Sequence, residues 1–373
     1  MKKNILVVDD SALMRRLISD IIESDERFKI SDIASNGLEA FDLVTLHPQK
    51  YDAILLDINM PKMSGIEFLE QLNKLHIKHK IIMVSTLAKE GAKETIRCLE
   101  LGAFDFVTKP ESYIEAKNNS FRDRILQTLC LALNLNYQKI ESQIKGDLKT
   151  SDNVKVATTR ELKELTVKPV KRKPFVKGVE SSKKIVALAC STGGPKALQH
   201  VIPLLPENLD APVIVVQHMP EGFTNSLASR LDEMSKIRVK EAEHGELIEK
   251  GTVYIAKGGR QLRLLKKGDA YQLQITQEPP RNGLKPCADI MYESLLDANY
   301  EEITCVVLTG MGGDGTYGIK QLNDKKNIYV IAQDEATSTV YGMPKVVKEA
   351  GLVDEILSIT EVASAITKNV GVQ

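Results

Sequence analysis

The sequence predicts an α/β protein of two doubly wound parallel sheets, the second interrupted by an inserted β-hairpin. Three observations lead there. Short runs rich in Val, Ile and Leu recur without polar alternation, the pattern of strands buried on both faces. Each is followed by an acidic or glycine turn and then by helical spacing. The 373 residues suffice for two domains, each with a core of its own.

In the first domain, strands are expected at 4–8, 51–56, 80–84 and 105–107. From Ser112 the spacing turns helical, with Phe121, Ile125, Leu129 and Leu133 four apart, and this helix ends near Tyr137. The expected boundaries are 1–125 for the first domain, 126–183 for a helix extension and linker, and 184–373 for the second domain. From Gln138 to Lys184 there are thirteen Lys and Arg against six Asp and Glu, and Phe175 is the only aromatic residue. The stretch reads as a basic, partly disordered tether, since a nucleic-acid arm would interleave aromatics with its charge. Strands resume at 185–189, 213–217, 303–309 and 328–332. Between them, 251–256 and 261–265 flank Gly258-Gly259 and read as the hairpin.

Composition narrows the function classes. Fifty Lys and Arg balance fifty Asp and Glu, which removes any global electrostatic case for DNA. The five cysteines are odd in number, far apart and free of CxxC pairs, so neither a disulfide framework nor a structural zinc site is expected. Asp9 and Asp10 end the apolar run that follows Lys2-Lys3, and no stretch reaches the ~18 apolar residues of a membrane span. A cytoplasmic protein is expected, meeting membranes only indirectly.

Three features sit at the carboxyl ends of strands in the first domain: Asp9-Asp10, Asp57, and Lys109 followed by Pro110. In an open α/β sheet those ends converge on one crevice. Carboxylates with one lysine are what a hard Mg²⁺ ion and a phosphoryl group require. Together with Ser85-Thr86 and Asn59-Met60-Pro61, this order resembles the flavodoxin-like receiver domain of two-component response regulators. The resemblance implies phosphorylation of Asp57, with Mg²⁺ held by Asp9, Asp10, Asp57 and the Asn59 carbonyl. Lys109 would bind the phosphoryl group, Ser85 its oxygen when the switch closes, and Phe106 would report the change. Thr86 disputes the role of Ser85.

The second domain offers a nucleophile on a turn. A strand leads into Cys190-Ser191-Thr192-Gly193-Gly194, and Pro195 opens a helix. Such a turn aims backbone N–H groups at developing negative charge. Cys190 and Ser191 are both candidate nucleophiles; strand alternation turns the cysteine inward. His218 and Asp314 also lie just past strand ends and could converge with Ser191 as base and orienting acid. Gly310, Gly312 and Gly315 also match GxGxxG, with Asp334 near the position of a ribose-binding acid, but Asp314 inside that loop would repel a pyrophosphate.

Residues 184–373, joined to a receiver domain, resemble the chemotaxis receptor protein-glutamate methylesterases, often called CheB. The resemblance rests on Ser191-Thr192-Gly193-Gly194, Gln217-His218-Met219-Pro220, Gly310 to Gly315, and Thr337-Ser338 with Gly342-Met343-Pro344. It implies that Ser191 attacks the methyl ester of a receptor glutamate, with His218 as base, Asp314 orienting it, and the N–H groups of Thr192 and Met311 binding the oxyanion. It further implies deamidation of receptor glutamines and a chemotaxis histidine kinase as phosphodonor. Because both sites lie at the carboxyl edges of their sheets, where docking would cover Ser191, the receiver is expected to restrain the esterase until phosphorylated. The triad itself calls for no cofactor. Departures from the family pattern are Ala189-Cys190 before the serine, Tyr341 where Trp is usual, and the Lys285-Pro286-Cys287-Ala288-Asp289 segment. Two rival classes are an inactive adaptor, which the intact triad disfavours, and a DNA-binding regulator, which would need a basic helix-turn-helix.

Overall fold

The computed structural model describes residues 2–86, 89–110, 119–136, 184–268 and 270–373. The basic tether, and the start of the helix expected from Ser112, lie outside them.

The first sheet is wholly parallel, in the order β2-β1-β3-β4-β5. Its strands are β1 (Lys3–Val8), β2 (Phe28–Ala34), β3 (Ala53–Asp57), β4 (Lys80–Ser85) and β5 (Asp105–Thr108). Helices α1 (Ala12–Glu23), α2 (Gly37–Leu46), α3 (Gly65–Lys74), α4 (Lys89–Glu100) and α5 (Asn119–Ala132) belong to the same lobe. Every residue of β3 is buried, which explains its uninterrupted apolar run ahead of Asp57. Phe121, Ile125 and Leu129 form the buried stripe of α5, as their spacing predicts. The strand that periodicity misses is β2, whose FKISDIA sequence is only half-buried at the sheet edge.

The second sheet has seven parallel strands in the order β14-β13-β12-β6-β7-β9-β8. In chain order they are β6 (Lys184–Cys190), β7 (Val213–Gln217), β8 (Arg238–Glu241), β9 (Thr252–Ile255), β12 (Glu302–Val307), β13 (Ile328–Gln333) and β14 (Glu355–Leu357). The two strands between β9 and β12, β10 (Gln261–Lys267) and β11 (Ala270–Thr276), pair antiparallel. The hairpin is therefore present, but its strands are 261–267 and 270–276, and 251–256 joins the parallel sheet instead. The reason is visible in burial. The unalternated strand β9 is buried throughout, whereas β10 and β11 turn Leu262, Leu264, Tyr271 and Leu273 to one side only.

Helices of this lobe are α6 (Gly194–Val201), α7 (Phe223–Met234), α8 (Ala288–Ser294), α9 (Thr316–Lys325), α10 (Met343–Glu349) and α11 (Ile359–Val370). Both sheets belong to one compact unit, and one apolar cluster runs continuously from Leu56 and Phe106 to Phe223 and Leu227. β6 lies between β7 and β12, so the chain reverses its winding at β6. In open α/β sheets that is where the crevice for chemistry forms.

Candidate active site and phosphoryl-acceptor cluster

Three adjacent strands deliver three side chains to one edge. Ser191 follows β6, His218 follows β7, and Asp314 lies in the loop after β12. His218 Nε2 and Asp314 Oδ2 are 2.7 Å apart, which leaves Nδ1 as the ring nitrogen for the serine. Ser191 Oγ makes no hydrogen bond to His218 among the described residues. Catalytic hydrogen bonds are often loose without substrate.

Asp314 is unusually well supplied with donors. Its Oδ2 accepts from Ala288 N at 2.6 Å, and its Oδ1 accepts from Asp289 N and Cys287 Sγ, both at 3.1 Å, and from Gly315 N at 3.0 Å. Burial works against its ionised form, but the hydrogen bond and charge of His218 and the Ala288 amide outweigh it and hold the carboxyl below the usual carboxylate range. The side chain therefore stays anionic and fixed beside the imidazole. The same loop disposes of the dinucleotide alternative: the Gly315 N–H that a pyrophosphate would need is held by the carboxylates of Asp289 and Asp314.

The Ser191 turn is tied to His218 by a residue to which the sequence motif assigns no role. Gln217 is buried, and its Nε2 donates to the carbonyls of both Ser191 and His218, at 3.0 and 3.1 Å. Its Oε1 accepts from Cys190 Sγ at 3.0 Å. Cys190 thus points into the core, as alternation predicts, and burial pushes its thiol strongly up, away from the reactive thiolate. A Cβ at Gly194 would overlap Gln217 Oε1, so glycine is what admits this tie. On the other side, Thr309 Oγ1 donates to the Thr192 carbonyl at 2.9 Å. The loop strand at 310 passes so close that a Cβ there would meet Met343 Sδ and Ser191 Cβ.

The two residues expected to frame the oxyanion, Thr192 and Met311, are both touched by the first lobe. Thr192 Oγ1 donates to Asp105 Oδ2 at 2.8 Å, and Gln127 Nε2 lies 3.2 Å from Met311 Sδ. Phe106 stacks on Phe223. Glu100 Oε1 takes hydrogen bonds from Arg230 Nε at 2.6 Å and Gln199 Nε2 at 3.2 Å. A cavity of about 540 Å³ between the two edges is lined by Lys109, Arg124, His218, Met219 and Lys285, among others. Asp105, Gln127, Glu100, Gln199 and Arg230 carry no sequence signal, because each is an ordinary polar residue whose meaning depends on tertiary contact.

At the first sheet's edge, Asp9, Asp10 and Asp57 present carboxylate oxygens within 4.8 Å of one another. Lys109 Nζ reaches Asp9 Oδ2 at 2.8 Å and Asp57 Oδ2 at 2.7 Å. Asp9 Oδ2 is buried, and this ion pair is the one polar contact it makes among the described residues. Buried oxygens of this kind, with room for further coordination, fit a hard divalent cation. Burial raises the Asp57 carboxyl to about 6 against the pull of Lys109. Asn59 lies just past β3 with its side chain on Glu94. Ser85 is buried and takes a hydrogen bond from Thr95 Oγ1 at 2.7 Å, and Phe106 is also buried.

The family described as CheB methylesterase matches residues 186–366, and that described as response regulator receiver domain matches residues 5–118. A protein-glutamate methylesterase/protein-glutamine glutaminase 1 of Syntrophomonas wolfei is 39% identical over 370 residues, covering 98% of each chain. The protein-glutamate methylesterase/protein-glutamine glutaminase of Bacillus subtilis is 39% identical, covering 97% of each. The crystal structure of the Thermotoga maritima CheB methylesterase catalytic domain is 41% identical, with a TM-score of 0.49 over 51% of this chain and 100% of that one. With a seryl turn, a histidine–aspartate pair and an acidic cluster on two parallel sheets, and with relatives matched along nearly its full length, the chain belongs to the CheB methylesterase family, carboxylic ester hydrolases joined to a response regulator receiver domain.

Proposed function

We propose that this chain hydrolyses methyl esters of glutamate side chains on chemotaxis receptors, and deamidates receptor glutamines by the same acyl chemistry, when Asp57 is phosphorylated by the chemotaxis histidine kinase. Residues 1–125 act as the receiver and 184–373 as the esterase, joined by 126–183, in the cytoplasm. The observation that carries this reading is the His218–Asp314 pair, 2.7 Å apart, beside the Ser191 turn on adjacent strands.

Ser191 Oγ gives its proton to His218 Nδ1 as it attacks the ester carbonyl carbon. The N–H groups of Thr192 and Met311 stabilise the tetrahedral oxyanion. Asp314 remains ionised and steadies the imidazolium. His218 returns the proton to the leaving methoxide, and methanol departs from the acyl-serine. Water, deprotonated by His218, then releases the glutamate carboxylate and regenerates Ser191. Cys190 takes no part, because its thiol is buried.

In the receiver, Asp9, Asp10, Asp57 and the Asn59 carbonyl would hold Mg²⁺, and Lys109 would hold the phosphoryl oxygens. Bound there, the ion would neutralise charge on the phosphoryl group during transfer to Asp57. Movement of Lys109, Ser85 and Phe106 toward the new charge would strain the contacts that Asp105, Phe106 and Gln127 make with the esterase edge. The restraint is thus lifted where it is applied, at Thr192, Met311 and Phe223.

The test is methanol release from receptor membranes bearing methylated glutamates, using the full chain with and without acetyl phosphate. The phosphodonor should accelerate release in the wild type and leave Asp57→Asn at its resting rate. No methanol from the wild type, or equal release from Ser191→Ala, would sink the reading.

A further inference from the structure

Asp314 is held by amides of the segment that begins α8, and the favour is returned. Asp289, the second residue of α8, sends its Oδ1 back to the loop that carries Asp314, accepting from Gly315 N at 3.0 Å and Gly318 N at 2.8 Å. The two carboxylates therefore lock the starts of α8 and α9 to one another, each capping the other's helix. Gly315 and Gly318 both pack against α8, where a Cβ at 318 would overlap the Asp289 carbonyl and Tyr292.

We infer that Asp289 is a positioning residue for the reaction: by holding the Gly315 and Gly318 amides it sets where Asp314 stands, and through Asp314 the orientation of His218. The inference rests on the reading of Ser191, His218 and Asp314 as the triad.

Electrostatics argue that this carboxylate is kept for geometry. Burial, reinforced by the Asp314 charge, raises the Asp289 carboxyl above its ordinary value despite the two amides. A group so raised contributes its stability below the unfolded pKa and loses it as pH rises through the folded one, so the ionised form costs stability at neutral pH. The other charged or titratable groups facing it are Glu293 and Arg281, which pair at 2.6 Å, the Cys287 thiol, which burial pushes up to about 12, and the Tyr292 hydroxyl, which burial holds neutral. His218 on Asp314 and the Arg281 charge near Asp289 offset part of the Asp289–Asp314 repulsion, and the hydrogen bonds that Asp289 Oδ1 accepts come from the backbone N–H groups of Gly315 and Gly318.

The experiment compares Asp289→Ala and Asp289→Asn in the full chain, measuring methanol release from a glutamyl methyl ester peptide between about pH 5 and 9, with thermal unfolding in parallel. Asp289→Ala should lower kcat by about 10- to 100-fold with KM within about twofold, because a misplaced acid costs the transition state rather than substrate binding. Asp289→Asn keeps an oxygen for both amides and should restore kcat to within about threefold. It also removes one negative charge near the His218–Asp314 pair, so the acidic limb of its kcat/KM profile should move to lower pH by a few tenths of a unit, roughly. A folded Asp289→Ala with wild-type kcat overturns the inference. So does an Asn variant as slow as Ala, or one whose acidic limb is unmoved, and these decide the matter even if the Ala variant does not fold. Activity persisting in Ser191→Ala overturns the triad reading itself, which separates the two failures.

Discussion

The ring of Phe106, on the last strand of the receiver sheet, stacks on that of Phe223, the first residue of the helix after His218, with centroids 4.6 Å apart and planes inclined by 27°. A stacked pair contributes about 0.5–1.5 kcal/mol beyond its buried area. Phe223→Leu keeps the site apolar and removes the stack, so the resting esterase rate should rise about two- to tenfold while the fold response to acetyl phosphate shrinks. An unchanged resting rate would remove this contact from the restraint.

Ser191→Ala should lower esterase activity by at least ~10³-fold in a chain that unfolds at the wild-type temperature. Cys190→Ala should change the rate little, although losing a buried thiol bonded to Gln217 will lower stability modestly. The pair of rates, measured by methanol release, assigns the nucleophile; a dead cysteine variant with a live serine variant would reverse it.

Gln217 links the carbonyls of Ser191 and His218 through one amide group. Gln217→Met fills similar space without donors, leaving both carbonyls to drift independently. The expected result is a fall in kcat of about tenfold or more, because positioning losses of this kind act on the transition state. A change confined to KM would show that the tie matters to substrate binding instead.

Asp314 makes stability depend on acidity in a defined direction. Its carboxyl is depressed in the folded chain, with burial outweighed by His218 and the Ala288 amide. Such a group contributes stability above its unfolded pKa of about 3.9, and the contribution is lost as pH falls through the folded value. The wild type should therefore exceed Asp314→Asn in stability at neutral pH, and the gap should close below about pH 4. Denaturant midpoints at a series of pH values measure it; a constant gap would contradict the assignment.

Lys109 is the shared cation of Asp9 and Asp57, at 2.8 and 2.7 Å. Lys109→Met leaves two buried carboxylates face to face and should destabilise the receiver by about 3–5 kcal/mol. Millimolar Mg²⁺ should recover much of this, because the ion replaces the missing charge, and chelator should abolish phosphate incorporation at Asp57. Identical melting of the Met variant with and without Mg²⁺ would argue against a metal at these oxygens.

What could be read from the chain follows from how completely each element is buried. β3, β6, β7 and β12 are central, so their apolar runs are unbroken and the Asp57, Ser191, His218 and Asp314 positions follow from where those runs stop. The strands of the two parallel sheets that escape, β2, β8 and β14, are all at sheet edges, where RVKE in β8 shows how charged an edge can be. The hairpin was legible as a hairpin, but its partners were misassigned because turn residues at 258 and 259 outweighed the change from a solid apolar run to an alternating one. Gln217 and Asp289 stand inside recognisable motifs, yet their work is hydrogen bonding to backbone that only the folded chain brings near.

All five cysteines are buried and free, and burial pushes the thiols of Cys98 and Cys287 up to about 12 and those of Cys130, Cys190 and Cys305 up as well. The native protein is therefore expected to react little with maleimides at neutral pH, without any cysteine having been removed. Leu46 and Leu204, 72% and 63% exposed on opposite lobes, are ready attachment points. A doubly labelled Leu46→Cys/Leu204→Cys chain would let fluorescence transfer follow the separation of receiver and esterase in real time as phosphodonor is added.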